Sequence, residues 1–181
     1  SPGVRRSDAN NDYLVDPAFG LDVQVTGRTA PTMINAAFAP EMFWDGRAGG
    51  TFTDPQTGMV SIPSGGALES QAAGPPLSNA EMAHDMRNWN QITSKLQNAT
   101  PLKLASNLGA DLQAALATSP TYPALFQAAF GSTNITAERI AMAIAAYERT
   151  LVSDQTPWDA YNAGNVNALT FPQQIGAGLF F

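Results

Sequence analysis

Residues 136–152 carry the strongest structural signal in the chain and set the class of fold open to it. Thr136 offers a side-chain oxygen where a helix would start, and Glu138 puts negative charge in the first turn. Ile140, Ile144, Tyr147 and Leu151 recur at helical spacing, which predicts a helix over 137–152 with those four as its buried stripe. Shorter segments repeat the pattern. Ser78-Asn-Ala-Glu81 fits a capping box, with Trp89, Ile92 and Leu96 at helical spacing beyond it. Residues 111–118 and 122–130 read as two further short helices, the second stopped by Gly131. Thr170 caps a last helix with Pro172 in its first turn. Residues 31–43 are apolar but are cut at Pro40, so a short helix or turn is expected there. The expected fold is mostly α, with short helices joined by long loops.

The remaining segments are irregular. Residues 1–26 are polar and without period, and Pro17-Ala-Phe-Gly20 adds turn chemistry, so a loop is expected. Residues 49–67 are rich in Gly, Thr, Pro and Ser. Within them Asp54-Pro-Gln-Thr-Gly58 is a turn signature, and Met59-Val-Ser-Ile62 suits a short strand. A long irregular stretch of this kind is either a functional surface for a substrate or partner, or a plain surface loop.

Composition excludes several classes. Nine Lys and Arg against fifteen Asp and Glu give a formal charge of −6, and nucleic acid calls for a basic footprint instead. The sequence has no cysteine, so neither a disulfide nor thiolate chemistry arises from it. No run of about 18 apolar residues suggests a membrane span. Apolar residues make up 44%, enough for a substantial core.

Only 13% of the residues are charged, which makes Phe43-Trp44-Asp45-Gly46-Arg47-Ala48 stand out. An arginine fork suits planar carboxylates, and a neighbouring Trp offers a flat apolar face. Four segments follow one another here: Ala-Pro-Thr-Met-Ile-Asn-Ala-Ala-Phe (30–38), Phe-Trp-Asp-Gly-Arg-Ala (43–48), Glu-Ser-Gln-Ala-Ala-Gly-Pro (69–75) and Asn-Ala-Glu-Met (79–82). Further on come Ile-Ala-Met-Ala-Ile-Ala-Ala-Tyr-Glu-Arg-Thr-Leu-Val-Ser (140–153) and Thr-Pro-Trp-Asp-Ala-Tyr (156–161). In this order they resemble the segment between the two haem motifs of bacterial dihaem cytochrome c peroxidases and their MauG-type and rubber-oxygenase relatives. The resemblance covers residues 27–181.

The resemblance implies a cytochrome c-like helical architecture with two haem c groups, attached by Cys-x-x-Cys-His motifs outside this sequence. Residues 1–133, with the insert 49–67, would finish the first, peroxidatic haem domain, and 134–181 would begin the second. The chain opens on Ser1, and both ends read as cut points, so a piece of a longer, periplasmic or secreted polypeptide is expected.

By the same resemblance Trp44 lies between the haems as an electron relay, against the alternative of an ordinary core Trp. Phe43, Trp44, Arg47 and Pro31 wall the haem, with Arg47 pairing to a propionate or to an acidic neighbour. Gln71 and Glu81 form the catalytic pair on the open face, Gln71 orienting bound oxygen and Glu81 moving a proton. The alternative for Glu81 is a helix cap at the third helical position. His84, the one histidine, reads as a surface or hydrogen-bonded residue rather than an iron ligand. Thr29 stands where relatives often carry an Asn at a calcium site, which argues against calcium, although a backbone oxygen can still serve. No side chain is assigned to a metal. Arg149, Asp159 and Tyr161 read as structural, Arg149 anchoring a carboxylate or loop carbonyls.

Three functions are open at this point. The first is reduction of hydrogen peroxide, with electrons passing between haems from a small donor protein. The second is cleavage of a hydrophobic organic substrate with dioxygen. The third is a haem-free helical interaction module.

Overall fold

The helix that opened the sequence argument begins where its cap placed it. In the computed structural model Thr136 Oγ1 accepts the Arg139 N–H at 3.2 Å, and the helix runs Ala137–Glu148. The structure describes residues 10, 12, 14–15, 28–83, 86–103 and 105–180. Most of the polar stretch 1–26 lies outside them, and so does His84.

Among the described residues the fold is mostly α, as expected. Its helices are α1 (Ala67–Ala72), α2 (Trp89–Asn98), α3 (Ala110–Thr118), α4 (Tyr122–Phe130), α5 (Ala137–Glu148), α6 (Pro157–Asn162) and α7 (Phe171–Phe180). Single 3-10 turns occur at Ala36–Phe38 and Pro75–Leu77. A two-stranded antiparallel hairpin pairs β1 (Phe52–Thr53) with β2 (Val60–Ile62). The helix α4 has the bounds read from sequence, and Gly131 ends it at φ 71°, a left-handed conformation that glycine adopts without a Cβ penalty.

Two local expectations fail. Ser78 and Glu81 do not open a helix. The Ser78 carbonyl instead accepts the N–H groups of Glu81, Met82 and Ala83, closing a tight turn. Met86 at φ 58° would break any helix running on from it. The working capping box lies ten residues later, where Asn88 Oδ1 accepts the Gln91 N–H and Gln91 Oε1 accepts the Asn88 N–H, both at 3.0 Å.

The second correction concerns the buried face of α5. Ala137, Ala141 and Ala145 are 0% exposed, and Glu148 completes their stripe. Ile140 and Leu151 are only half-buried, Ile144 and Tyr147 are exposed, and α5 ends before Leu151. Packing against α1 explains the choice. Leu68 of α1 packs with Ala36 and Ala145, while Ala72 packs with Phe52 and Ala141. Alanine lets two backbones approach closely, and a branched or aromatic side chain there would hold them apart.

Residues 49–67 are not a plain surface loop. Asp54 organises the hairpin turn: Oδ1 accepts the Gln56 N–H at 3.0 Å and Oδ2 accepts the Thr57 hydroxyl at 2.7 Å. Phe52 is 1% exposed and forms the centre of a core cluster. Gln56 Oε1 accepts the Ala137 N–H at 2.7 Å, and the Ser61 hydroxyl bonds to the Glu138 carboxylate. The hairpin thus satisfies a free amide at the start of α5 while plugging the space between α1 and α5.

The three residues read as structural take such places. Arg149 donates to both oxygens of buried Glu69, at 2.6 and 2.9 Å, and to the Gly65 carbonyl at 3.3 Å. Asp159 forms a capping box with Thr156, and Tyr161 stacks on Trp158 at 6.0 Å between ring centroids. Asn35, at φ 63°, ties residues 33–38 to the end of α5: its N–H donates to the Leu151 carbonyl at 2.9 Å and its side chain accepts the Ser153 N–H at 2.8 Å.

Candidate functional site

Residues 43–46 form a tight protruding turn. It is closed at the base by Met42 N–H donating to the Ala48 carbonyl at 2.9 Å, and within by Gly46 N–H donating to the Phe43 carbonyl at 3.2 Å. Gly46 takes φ 67° at no steric cost, whereas Phe43 at φ 67° stores strain of about 1–3 kcal/mol. This turn presents Trp44 to the outside at 96% exposure. Among the described residues Trp44 is therefore not packed in a core.

Arg47 folds back over the same turn. Its Nη1 donates to both Asp45 oxygens at 3.0 Å, and its guanidinium lies 3.7 Å from the centroid of the Phe43 ring. Asp45 is thus an acidic neighbour of the kind expected for Arg47. Some loss of water works against ionised Asp45, but hydrogen bonds from the Arg47 side chain and N–H, with its charge, hold that carboxyl below the usual range.

Two cavities adjoin at this turn. One, of about 310 Å³, is bounded by Pro31, Phe43, Trp44, Pro75 and Met82 on its apolar side. The other, of about 430 Å³, is bounded by Gly49, Thr51, Ser70, Gly74 and Ser78. Both are also lined by Arg28, Phe43, Arg47, Gln71, Pro75 and Glu81. All six residues singled out from sequence thus meet at one place. Pro31 and Trp44 lie on the apolar cavity, and Phe43, Arg47, Gln71 and Glu81 border both. Gln71 arrives on the last turn of α1, and Glu81 on the turn closed by Ser78. With no helix to cap, the half-buried Glu81 carboxylate faces Arg28, its Oε1 3.7 Å from Nη1.

Arg28, Thr51, Ser70 and Ser78 were not anticipated. Arg28 sits one residue before Thr29, in a stretch without periodicity, and only the fold brings it to Glu81. Ser70 adjoins Gln71 in the motif, but a serine there carries no distinguishing pattern. Glu69, two residues from Gln71, points the other way into the Arg149 pair, which fixes the end of α1 that carries Gln71.

The family model for di-haem cytochrome c peroxidases matches residues 7–167, a span that takes in both cavities. The chain belongs to the di-haem cytochrome c peroxidase family. It is 32% identical over 163 residues to the cytochrome c peroxidase Ccp of Escherichia coli, covering 90% of this chain and 26% of that protein. It is 30% identical over 151 residues to the cytochrome c551 peroxidase of Nitrosomonas europaea, covering 83% and 33%. The methylamine utilization protein MauG of Methylophilus methylotrophus is 29% identical over 153 residues, covering 84% and 34%. The chain therefore spans about a quarter to a third of the length of these relatives.

Family membership implies haem, and the residues present suit one as a wall. Exposed Trp44, Phe43, Pro31, Pro75 and Met82 offer flat and apolar surface. Arg28 and Arg47 supply two guanidiniums beside it, groups whose chemistry suits carboxylates. The sequence has no cysteine, so thioether attachment needs residues beyond it.

Proposed function

We propose that this chain forms the open-face wall of one haem in a dihaem peroxidase that reduces hydrogen peroxide. The observation that supports it is the meeting of Gln71, Glu81, Arg28 and Arg47 around two adjoining cavities with Trp44 exposed at their rim. When bound, haem supplies the redox-active iron. Reducing peroxide to two waters takes up two electrons and two protons, and one peroxide oxygen must lose a proton that the other gains. The Glu81 carboxylate suits that transfer, since it is half-buried and free of any helix-capping duty. The Gln71 amide, fixed on α1, orients the bound oxygen by hydrogen bonding. Trp44, exposed at the rim, would lie between this haem and a second one as the relay for electrons that a small donor protein supplies.

In this reading residues 1–133 finish the first haem domain and 134–181 begin the second, with α5 packed directly on α1 between them. Segments outside the chain carry both haem attachments, as in a periplasmic or secreted protein. No helix among the described residues is long and apolar enough to cross a membrane. Dioxygen cleavage of a hydrophobic substrate is the competing reading. The largest apolar side chain of the insert 49–67, Phe52, is buried in the core and so is not available to such a substrate.

Glu81→Gln in the full-length haem-loaded protein tests the proposal. Peroxide turnover is expected to fall by at least about 100-fold, the typical worth of a positioned acid–base group. Folding should change little, because the partly exposed Arg28 pair is worth at most about 1 kcal/mol. Full peroxide turnover in the folded variant refutes the role of Glu81. Retained product from a polyisoprene-like substrate, with peroxide turnover lost or absent, favours the oxygenase.

A further inference from the structure

The two cavities differ in chemistry, and the insert builds only one of them. Trp44, Pro31 and Met82 make the first apolar. Thr51, Ser70 and Ser78 line the second with hydroxyl groups, and Gly49 and Gly74 keep its walls thin. Gly49 and Thr51 belong to the insert 49–67, which the Phe52 plug and the Gln56 bond to α5 hold in place.

We propose that the hydroxyl-lined cavity is the port by which small polar molecules reach the Gln71–Glu81 edge of the site, and that the insert forms part of its wall through Gly49 and Thr51. This inference rests on the haem-wall reading above. A molecule such as peroxide loses water hydrogen bonds on entering, and hydroxyl and carbonyl groups replace them along this side but not beside Trp44. The wall is firm, because the Thr51 hydroxyl donates to the Pro63 carbonyl at 3.0 Å and the Ser70 hydroxyl donates to the Thr51 carbonyl at 3.2 Å. Gly49 is the lining position to probe. A Cβ added there meets no atom within 4 Å, so a side chain can be introduced at the cavity wall without displacing its neighbours.

The rival occupant of this cavity is a haem carboxylate held by Arg28 and Arg47, and the test separates the two. Gly49→Ala and Gly49→Leu are made in the full-length haem-loaded protein. Cyanide association, turnover of hydrogen peroxide and of tert-butyl hydroperoxide, the visible spectrum and the haem midpoint potentials are measured. Leu is expected to slow cyanide association and lower kcat/KM for hydrogen peroxide by about 10-fold or more, with Ala intermediate, since a single misplaced methylene changes discrimination by that order. The bulkier hydroperoxide should lose more, kcat should fall less than kcat/KM, and spectrum and potentials should hold. Unchanged cyanide association in the Leu variant overturns the port, as does a shifted potential with unchanged association, which assigns the cavity to a haem carboxylate. If the Leu variant does not fold, Gly49→Ala and Gly49→Ser carry the test, and no slowing in either overturns the port. Slowed cyanide association in a protein that never turns over peroxide keeps the port and removes the peroxidase reading.

Discussion

Replacing Phe52 with Ala tests whether the insert belongs to the core or merely decorates it. Phe52 is 1% exposed and is packed by Ala72 of α1, Ala141 of α5 and the half-buried Ile62 and Ala73. The neighbours that would have to close the gap are mostly alanines on helices fixed by the Arg149–Glu69 pair and by the bond from Gln56 to α5. Little collapse is available, so the loss should fall in the upper part of the usual range of about 3–5 kcal/mol for Phe→Ala. For a unit of this size each kcal/mol lowers Tm by about 2–4 °C, so a loss of about 4–5 kcal/mol gives a fall of roughly 8–20 °C. Val60, exposed on the same hairpin, serves as control, and Val60→Ala should stay within about 0.5 kcal/mol. Thermal and urea unfolding of the full-length protein, followed by circular dichroism, measures both. A Phe52→Ala variant as stable as Val60→Ala would refute the reasoning and return the insert to a surface loop.

Three further outcomes are expected. Arg149→Met leaves Glu69 buried without a cation, which should cost near the low end of about 3–5 kcal/mol because Arg149 is itself partly exposed; urea midpoints check it, and a cost below that of Val60→Ala removes the pair from the core. Glu148 is buried, its Oε2 has no hydrogen-bond partner among the described residues, and burial first, then the charge of Glu69, raises its pKa against the opposing pull of Arg149. The folded state therefore binds that proton more tightly than the unfolded chain: its stabilisation is full below the ordinary glutamate pKa and is lost as pH rises through the raised one. Glu148→Gln should match the parent at acid pH and exceed it at neutral pH, by about 1.4 kcal/mol for each unit separating the two pKa values, and equal stability across pH in urea titrations contradicts this. Trp44→Phe keeps an apolar aromatic face toward the haem, so spectrum and stability should hold, yet electron exchange between haems should slow in stopped-flow experiments; unchanged exchange would deny Trp44 a relay role.

The sequence by itself determined the elements whose signals are local. Thr136 starts α5 and Gly131 ends α4 through a hydrogen bond and a φ angle set within a few residues. The family resemblance carried by the motifs around Trp44, Gln71 and Glu81 named them as candidate site residues, and the fold brings them to two adjoining cavities. The tertiary structure decided everything that depends on what another segment brings. Helical spacing made Ile140, Ile144 and Tyr147 the plausible core of α5, but α1 comes too close for them and selects Ala137, Ala141 and Ala145. Ser78 and Glu81 have the composition of a capping box, but their turn and Met86 spend that backbone elsewhere. Phe52 lay unnoticed in a loop-like stretch until α1 and α5 closed around it, and Arg28 had no signal until folding set it 3.7 Å from Glu81. Caps and turns act over a few residues and can be read along the chain, whereas burial and charge pairing are set by distances between segments that the linear order does not contain.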